Sequence, residues 1–168
     1  MEDSVRQLDG SLDASGTRIA LVVSRFNDYL TRHMELSAVS TFMRLGGNSA
    51  HLTVTHVPGS LELPVTAKAL AETGRYDAVV CLGCVIRGET SHYDHVCEQT
   101  AKGIREVGTA TGVPCIFGVI TTDSVEQAVN RVGIKLGNQG DKAMLAGGEM
   151  ANVIKSVRAS SATDGKAR

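Results

Sequence analysis

The sequence has no tryptophan, and aromatic residues make up only 4% of it. A surface of stacked rings for gripping nucleic-acid bases is therefore not expected. Charge of one sign is lacking too. Lys and Arg number 17 against 18 Asp and Glu, a net charge of −1, so no global field draws in nucleic acid or an acidic membrane. No apolar run approaches the ~20 residues that a membrane span needs. There is no GxGxxG and no P-loop, so no motif supports nucleotide binding. The opening residues MEDSVRQLDGSLDASG are polar and acidic, unlike a signal or transit peptide, and a cytoplasmic location is expected. The four cysteines are Cys81, Cys84, Cys97 and Cys115. In this class of chain they are expected to be reduced and buried rather than paired.

What remains is an ordinary globular composition. The chain has 168 residues, 42% hydrophobic and 21% charged. That predicts one domain able to build a core without disulfides or metal. Residues 1–17 read as an N-terminal arm, 18–158 as the domain, and 159–168 as a disordered polar tail.

Apolar patterning predicts four strands: Arg18 to Ser24, Leu52 to Val57, Asp77 to Ile86 and Cys115 to Thr121. The third, DAVVCLGCVI, is almost wholly apolar, as suits a central parallel strand covered on both faces. Helices are predicted over Tyr29 to Leu45, from the Pro58-Gly59-Ser60 turn to Thr73, over Ser91 to about Val107, from Asp123 or Ser124 to about Val132, and over Lys142 to Val157. Alternation of this kind predicts an α/β fold, a three-layer αβα sandwich around a four-stranded parallel sheet. Such sheets bind ligands at the carboxyl ends of their strands.

Four polar joints fall at those ends: SRFND, HVPGSLE, RGETSH and TTDS. In the third, Gly88 turns the chain out of the strand, and Ser91-x-x-Asp94 has the spacing of a capping box. A well-capped helix explains the joint in part. The same helix start also offers free N–H groups to a phosphate. The amides near Glu89 and Thr90, with the Thr90 hydroxyl, suit that role, and Arg131 would supply counter-charge if it reaches them. His92 sits in the first helical turn, as a structural histidine or as a general acid–base. His95 shares its face, but no third ligand at suitable spacing supports a metal site. Cys81-Leu-Gly-Cys84 lies inside a strand, where residues three apart point to opposite faces. Buried small hydrophobes explain it better than a redox pair. In the first joint, Phe26 is either a packed ring beside the Asn27 cap or a surface for a flat ligand.

Taken together, SRFND, VPGSLELP, GCVIRGETSHYDHV, IFGVITTDSVEQAVNRVGIKLGNQG and EMANV resemble, in this order and spacing, the lumazine synthase family. The resemblance implies a flavodoxin-like fold. It implies condensation of 5-amino-6-ribitylamino-uracil with 3,4-dihydroxy-2-butanone 4-phosphate to 6,7-dimethyl-8-ribityllumazine, phosphate and water, with no metal and no organic cofactor. By motif, Phe26 and Asn27 correspond to pyrimidine contacts, and Ser60, Leu61 and Glu62 to the ribityl-chain segment. Backbone at Val85 and Ile86 corresponds to further pyrimidine contacts. Glu89, Thr90 and Arg131 correspond to the phosphate site, and His92 to the proton-transfer histidine. Phe117 and Lys135 correspond to positions that complete the site from a neighbouring subunit.

Three residues depart from the family pattern. Leu61 stands where many members have Phe, His95 where Tyr is usual, and Gln139 where Lys is frequent. The family implies self-association as homopentamers, and the short GIKLGNQGD link resembles that of members whose pentamers build a 60-subunit icosahedral shell. An arm that adds to a neighbour's sheet would explain why 1–17 lacks its own core. Small-molecule substrates and copies of itself are the expected partners, with no nucleic acid and no membrane. Two other readings stand beside the synthase. One is a diverged paralogue that binds flavin or lumazine, or that condenses a related amine. The other is a shell scaffold with a vestigial site.

Overall fold

The computed structural model describes residues 5–164, with the side chains of 162–164 left aside. Four strands form one parallel sheet in the order β2-β1-β3-β4. They are β1 (Ile19–Ser24), β2 (Leu52–Val57), β3 (Ala78–Ile86) and β4 (Cys115–Thr122). Five helices connect and cover them: α1 (Asp28–Arg44), α2 (Leu63–Glu72), α3 (His92–Thr111), α4 (Val125–Val129) and α5 (Gln139–Asp164). This is the expected α/β sandwich with flavodoxin-like strand order.

The near-continuous apolar runs of β1 and β3 have a simple cause. Ile19, Leu21, Val23, Val80, Leu82 and Cys84 face a core shared with α1 and α5. Ala20, Val22, Val79 and Cys81 face the second core, shared with α2 and α3. Both faces are buried, so alternation in polarity is lost. Cys81 and Cys84 do lie on opposite faces. All four cysteines are free, but only these two are buried; Cys97 and Cys115 are half-buried, which corrects the expectation for that pair.

Small residues let α5 lie close. A Cβ on Gly147 would meet Val80 Cγ2 at 2.7 Å, and one on Gly140 would collide with the Met34 carbonyl of α1. Asp141 then accepts hydrogen bonds from Ser37 and Thr41 of α1, each at 2.6 Å. This contact starts α5 at Gln139, one turn before the expected Lys142. The helix also runs past Val157 to Asp164, taking in part of the segment expected as tail; residues 165–168 lie outside the described residues. Helix α4 is shorter than expected. Beyond its end, Asn138 pins the following turn: its side-chain amide donates to Val132 O at 3.0 Å and to His33 O at 3.2 Å, while its oxygen accepts the Gly140 N–H at 2.8 Å.

The arm's first four residues lie outside the described residues. From Ser11 onward it is tied to its own chain. Asn152 of α5 donates to Ser11 O at 2.7 Å and Asp13 O at 2.8 Å, and Lys155 donates to Gly16 O at 2.6 Å. Ala14 is buried and its N–H reaches Leu45 O at 2.8 Å. No helix is long and apolar enough to cross a membrane among the described residues.

Candidate active site

The first three joints are tied to one another at the carboxyl edge of the sheet. Beyond β1, Arg25 N–H donates to Val57 O at 2.8 Å and Phe26 N–H to Pro58 O at 3.0 Å. Asn27 then takes a left-handed conformation, φ 60° and ψ 45°, which asparagine tolerates better than most residues. It precedes α1 but does not cap it with its side chain. Its amide reaches across to Cys84 O of β3 at 2.9 Å instead. In the second joint the Glu62 carboxylate accepts the Gly59 N–H at 2.8 Å. Gly83 keeps the floor close, since a Cβ there would meet Ser60 Oγ at 2.7 Å.

At the third joint the expected capping box is not formed. Ser91 precedes α3 without a side-chain cap, and Thr90 Oγ1 accepts the His92 N–H at a long 3.4 Å. Asp94 faces elsewhere: Arg87 holds it at 3.0 Å. The same guanidinium donates through Nε to Asp123 at 2.8 Å and lies 4.1 Å from the centre of the Tyr93 ring. Hydrogen bonding to Asp123, chiefly, holds Arg87 above the usual guanidinium range. Burial raises Tyr93, reinforced by its hydrogen bond with Cys97.

The joints enclose a cavity of about 310 Å³. Of the residues expected in a site, Phe26, Ser60, Leu61 and Glu62 line one part of it, and Val85, Ile86, Thr90 and His92 the other. Asn27 is joined to this wall through the Cys84 carbonyl. Glu89 follows the lining residue Gly88 but is exposed and is not itself part of the lining. Three expected residues are placed elsewhere. Phe117 sits on edge strand β4, beside Cys81 in register and partly exposed. Arg131 and Lys135 are exposed on the segment between α4 and α5. Within a single chain, none of the three lines the cavity.

Tyr93 and Arg87 join the site beyond the residues expected from the motifs. Tyr93 lines the cavity, and Arg87 organises the loop behind it. Their signal was available: an arginine directly after a buried strand, with acids at 94 and 123 in the neighbouring joints. The lining is largely apolar, with one carboxylate at Glu62, hydroxyls at Ser60 and Thr90, and the His92 imidazole. That set can hold a flat, partly polar molecule and move a proton beside it. It is not suited to thiol chemistry, because burial pushes the Cys84 thiol up to about 12 and Cys81 beyond that. Among the described residues, no group of three or more His, Cys, Asp or Glu could hold a metal ion.

The family model for 6,7-dimethyl-8-ribityllumazine synthase matches residues 16–155, which takes in every strand and all three joints around the cavity.

Proposed function

The chain belongs to the 6,7-dimethyl-8-ribityllumazine synthase family, a family of riboflavin biosynthesis, and on that premise we propose that it is the synthase itself, a transferase. It condenses 5-amino-6-ribitylamino-uracil with 3,4-dihydroxy-2-butanone 4-phosphate. The observation that carries this reading is the gathering of Phe26, Ser60, Glu62, Val85, Ile86, Thr90 and His92 around one cavity. The pyrimidine lies against Phe26 and the backbone of Val85 and Ile86, held near Asn27. The ribityl chain runs along Ser60, Leu61 and Glu62. The phosphate takes the start of α3, at Glu89 and Thr90, where unpaired N–H groups and the helix dipole favour an anion.

Imine formation between amine and ketone releases water, and phosphate departure needs a proton moved. His92, in the first turn of α3 and on the cavity wall, is the imidazole placed to move it. The remaining rate comes from holding two substrates together. Arg131, Phe117 and Lys135 complete the site from a neighbouring subunit of a pentamer. Their exposure away from the cavity of their own chain supports that arrangement.

Mixing both substrates with purified protein and following lumazine absorbance tests the proposal. No turnover above the spontaneous rate rejects it. A His92→Ala chain should fold normally and turn over about 10²- to 10⁴-fold more slowly. The second reading, a flavin- or lumazine-binding paralogue, draws on Leu61, which lines the cavity without offering a ring. Tight riboflavin binding without condensation would favour it.

A further inference from the structure

The start of α3 carries an apparent contradiction. Asp94 lies within its first turn, and Asp123 begins the neighbouring joint after β4. Two carboxylates beside a helix start should repel an anion. Yet neither stands alone. Arg87 places NH1 at 3.0 Å and 3.2 Å from the two oxygens of Asp94. Its Nε sits 2.8 Å from Asp123 Oδ1. Tyr93 covers the guanidinium from one side, and the Arg87 N–H is fixed to Thr122 O at 2.9 Å. Arg87 itself does not line the cavity. A planar guanidinium can engage both acids at once, which an ammonium cannot do with the same geometry.

We propose that Arg87 is a positioning residue for the anion site: it draws the carboxylates of Asp94 and Asp123 into one fork and offsets part of their charge, so that the start of α3 stays positive enough to accept a phosphate. This rests on the reading of that helix start as the phosphate site. Removing Arg87 leaves both acids uncompensated where one was offset before; removing both acids as well abolishes the need for it.

The test uses the full-length chain at low ionic strength, titrated with inorganic phosphate by calorimetry. The KM for the phosphorylated ketone is measured alongside. Arg87→Met should weaken phosphate binding about threefold to fivefold, an effect that fades with added salt. The triple variant R87M/D94N/D123N should bind phosphate at least as tightly as the wild type. A triple variant no tighter than Arg87→Met overturns the inference, because a brace that only shaped the loop would be lost equally in both. If Arg87→Met folds poorly, the same gain is expected on adding D94N/D123N to Arg87→Lys, and its absence is equally damaging. A wild-type chain that binds no phosphate also overturns the inference. A chain that shows this binding pattern but condenses nothing upholds it, and overturns only the catalytic reading.

Discussion

The carboxyl ends of β1, β2 and β3 converge on one cavity, whereas the carboxyl end of β4 leads away from it. The first three joints are knitted by short backbone and side-chain bonds, such as Asn27 to Cys84 O at 2.9 Å and Phe26 to Pro58 O at 3.0 Å. The β4 joint is held to β3 through Thr122 and Asp123, by way of Arg87. Past it, the chain passes through α4 to a segment where Ile134 and Leu136 are exposed. One region is a concavity. The other leaves Ile134, Lys135 and Leu136 exposed, and Phe117 on the edge strand partly so. Exposed apolar side chains, where they cluster, mark a surface that another molecule meets. On the proposal above, that molecule is a second copy of the chain.

The sharpest way to break this contrast is to disable each region in a different chain. His92→Ala and Arg131→Ala should each be strongly impaired alone. Chains carrying one change each, co-expressed, should recover about a quarter of the wild-type rate. In a ring with head-to-tail contacts, about one site in four would pair an intact His92 with an intact Arg131. No recovery in the lumazine assay would place both residues in the site of one chain.

Next in size is a change at the buried contact where α5 begins against α1, just beyond the outlying segment. Gly140→Ala pushes a methyl group into the Met34 carbonyl. It should cost about 1–3 kcal/mol in denaturant unfolding. A change confined to the cavity region should cost less. Asn27→Ala loses the bond to Cys84 O and leaves alanine in a left-handed conformation, for about 1–2 kcal/mol together. Asn27→Gly loses the bond without the strain, so it should be the milder of the two by thermal melting.

The smallest effect compares two thiols by pH. Cys84, beneath the cavity, is raised by burial from 9.0 to about 12, and Cys115, on the edge strand, from 9.0 to about 11. Below pH 9 each thiol keeps its proton in both folded and unfolded chains. Above it the unfolded chain releases protons that the folded chain retains, so stability falls as pH rises. The Cys115 contribution should be used up near pH 11 and that of Cys84 near pH 12. Cys84→Ala should therefore flatten the unfolding free energy from about pH 9 to about pH 12, while Cys115→Ala flattens it only up to about pH 11.

Sequence patterning read the sheet well because burial on both faces leaves a mark within the strand itself. β1 and β3 are apolar at nearly every position, and the joints carry glycine and hydroxyl residues where the chain must turn. What patterning missed was decided by distant competitors. Asp94 has ideal spacing to serve Ser91, but Arg87 supplies a charge-assisted partner. Asn27 has the right identity and place for a helix cap, but the Cys84 carbonyl, far along the chain, takes its amide. The start of α5 was hidden by Gly140, a poor helix residue by propensity that is required there by the approach of Met34. Most of the cavity lining was legible from motifs. The resemblance already assigned Phe117 and Lys135 to a neighbouring subunit; that Arg131 too lies away from its own chain's cavity follows from where the chain runs after edge strand β4, which spacing does not encode.

The strand order has a consequence in time. β1 is the first strand to be synthesised and lies between β2 and β3, with all six of its residues buried. It cannot gain its second neighbour in full until Leu82 has been made, and β4 joins only after that. During synthesis the chain therefore carries this apolar strand unpaired through the making of α1 and β2, and half-paired through that of α2. Parallel pairing of this kind is slow because each contact closes a long loop. A nascent chain stalled before β3 should be the species most prone to clump with its neighbours.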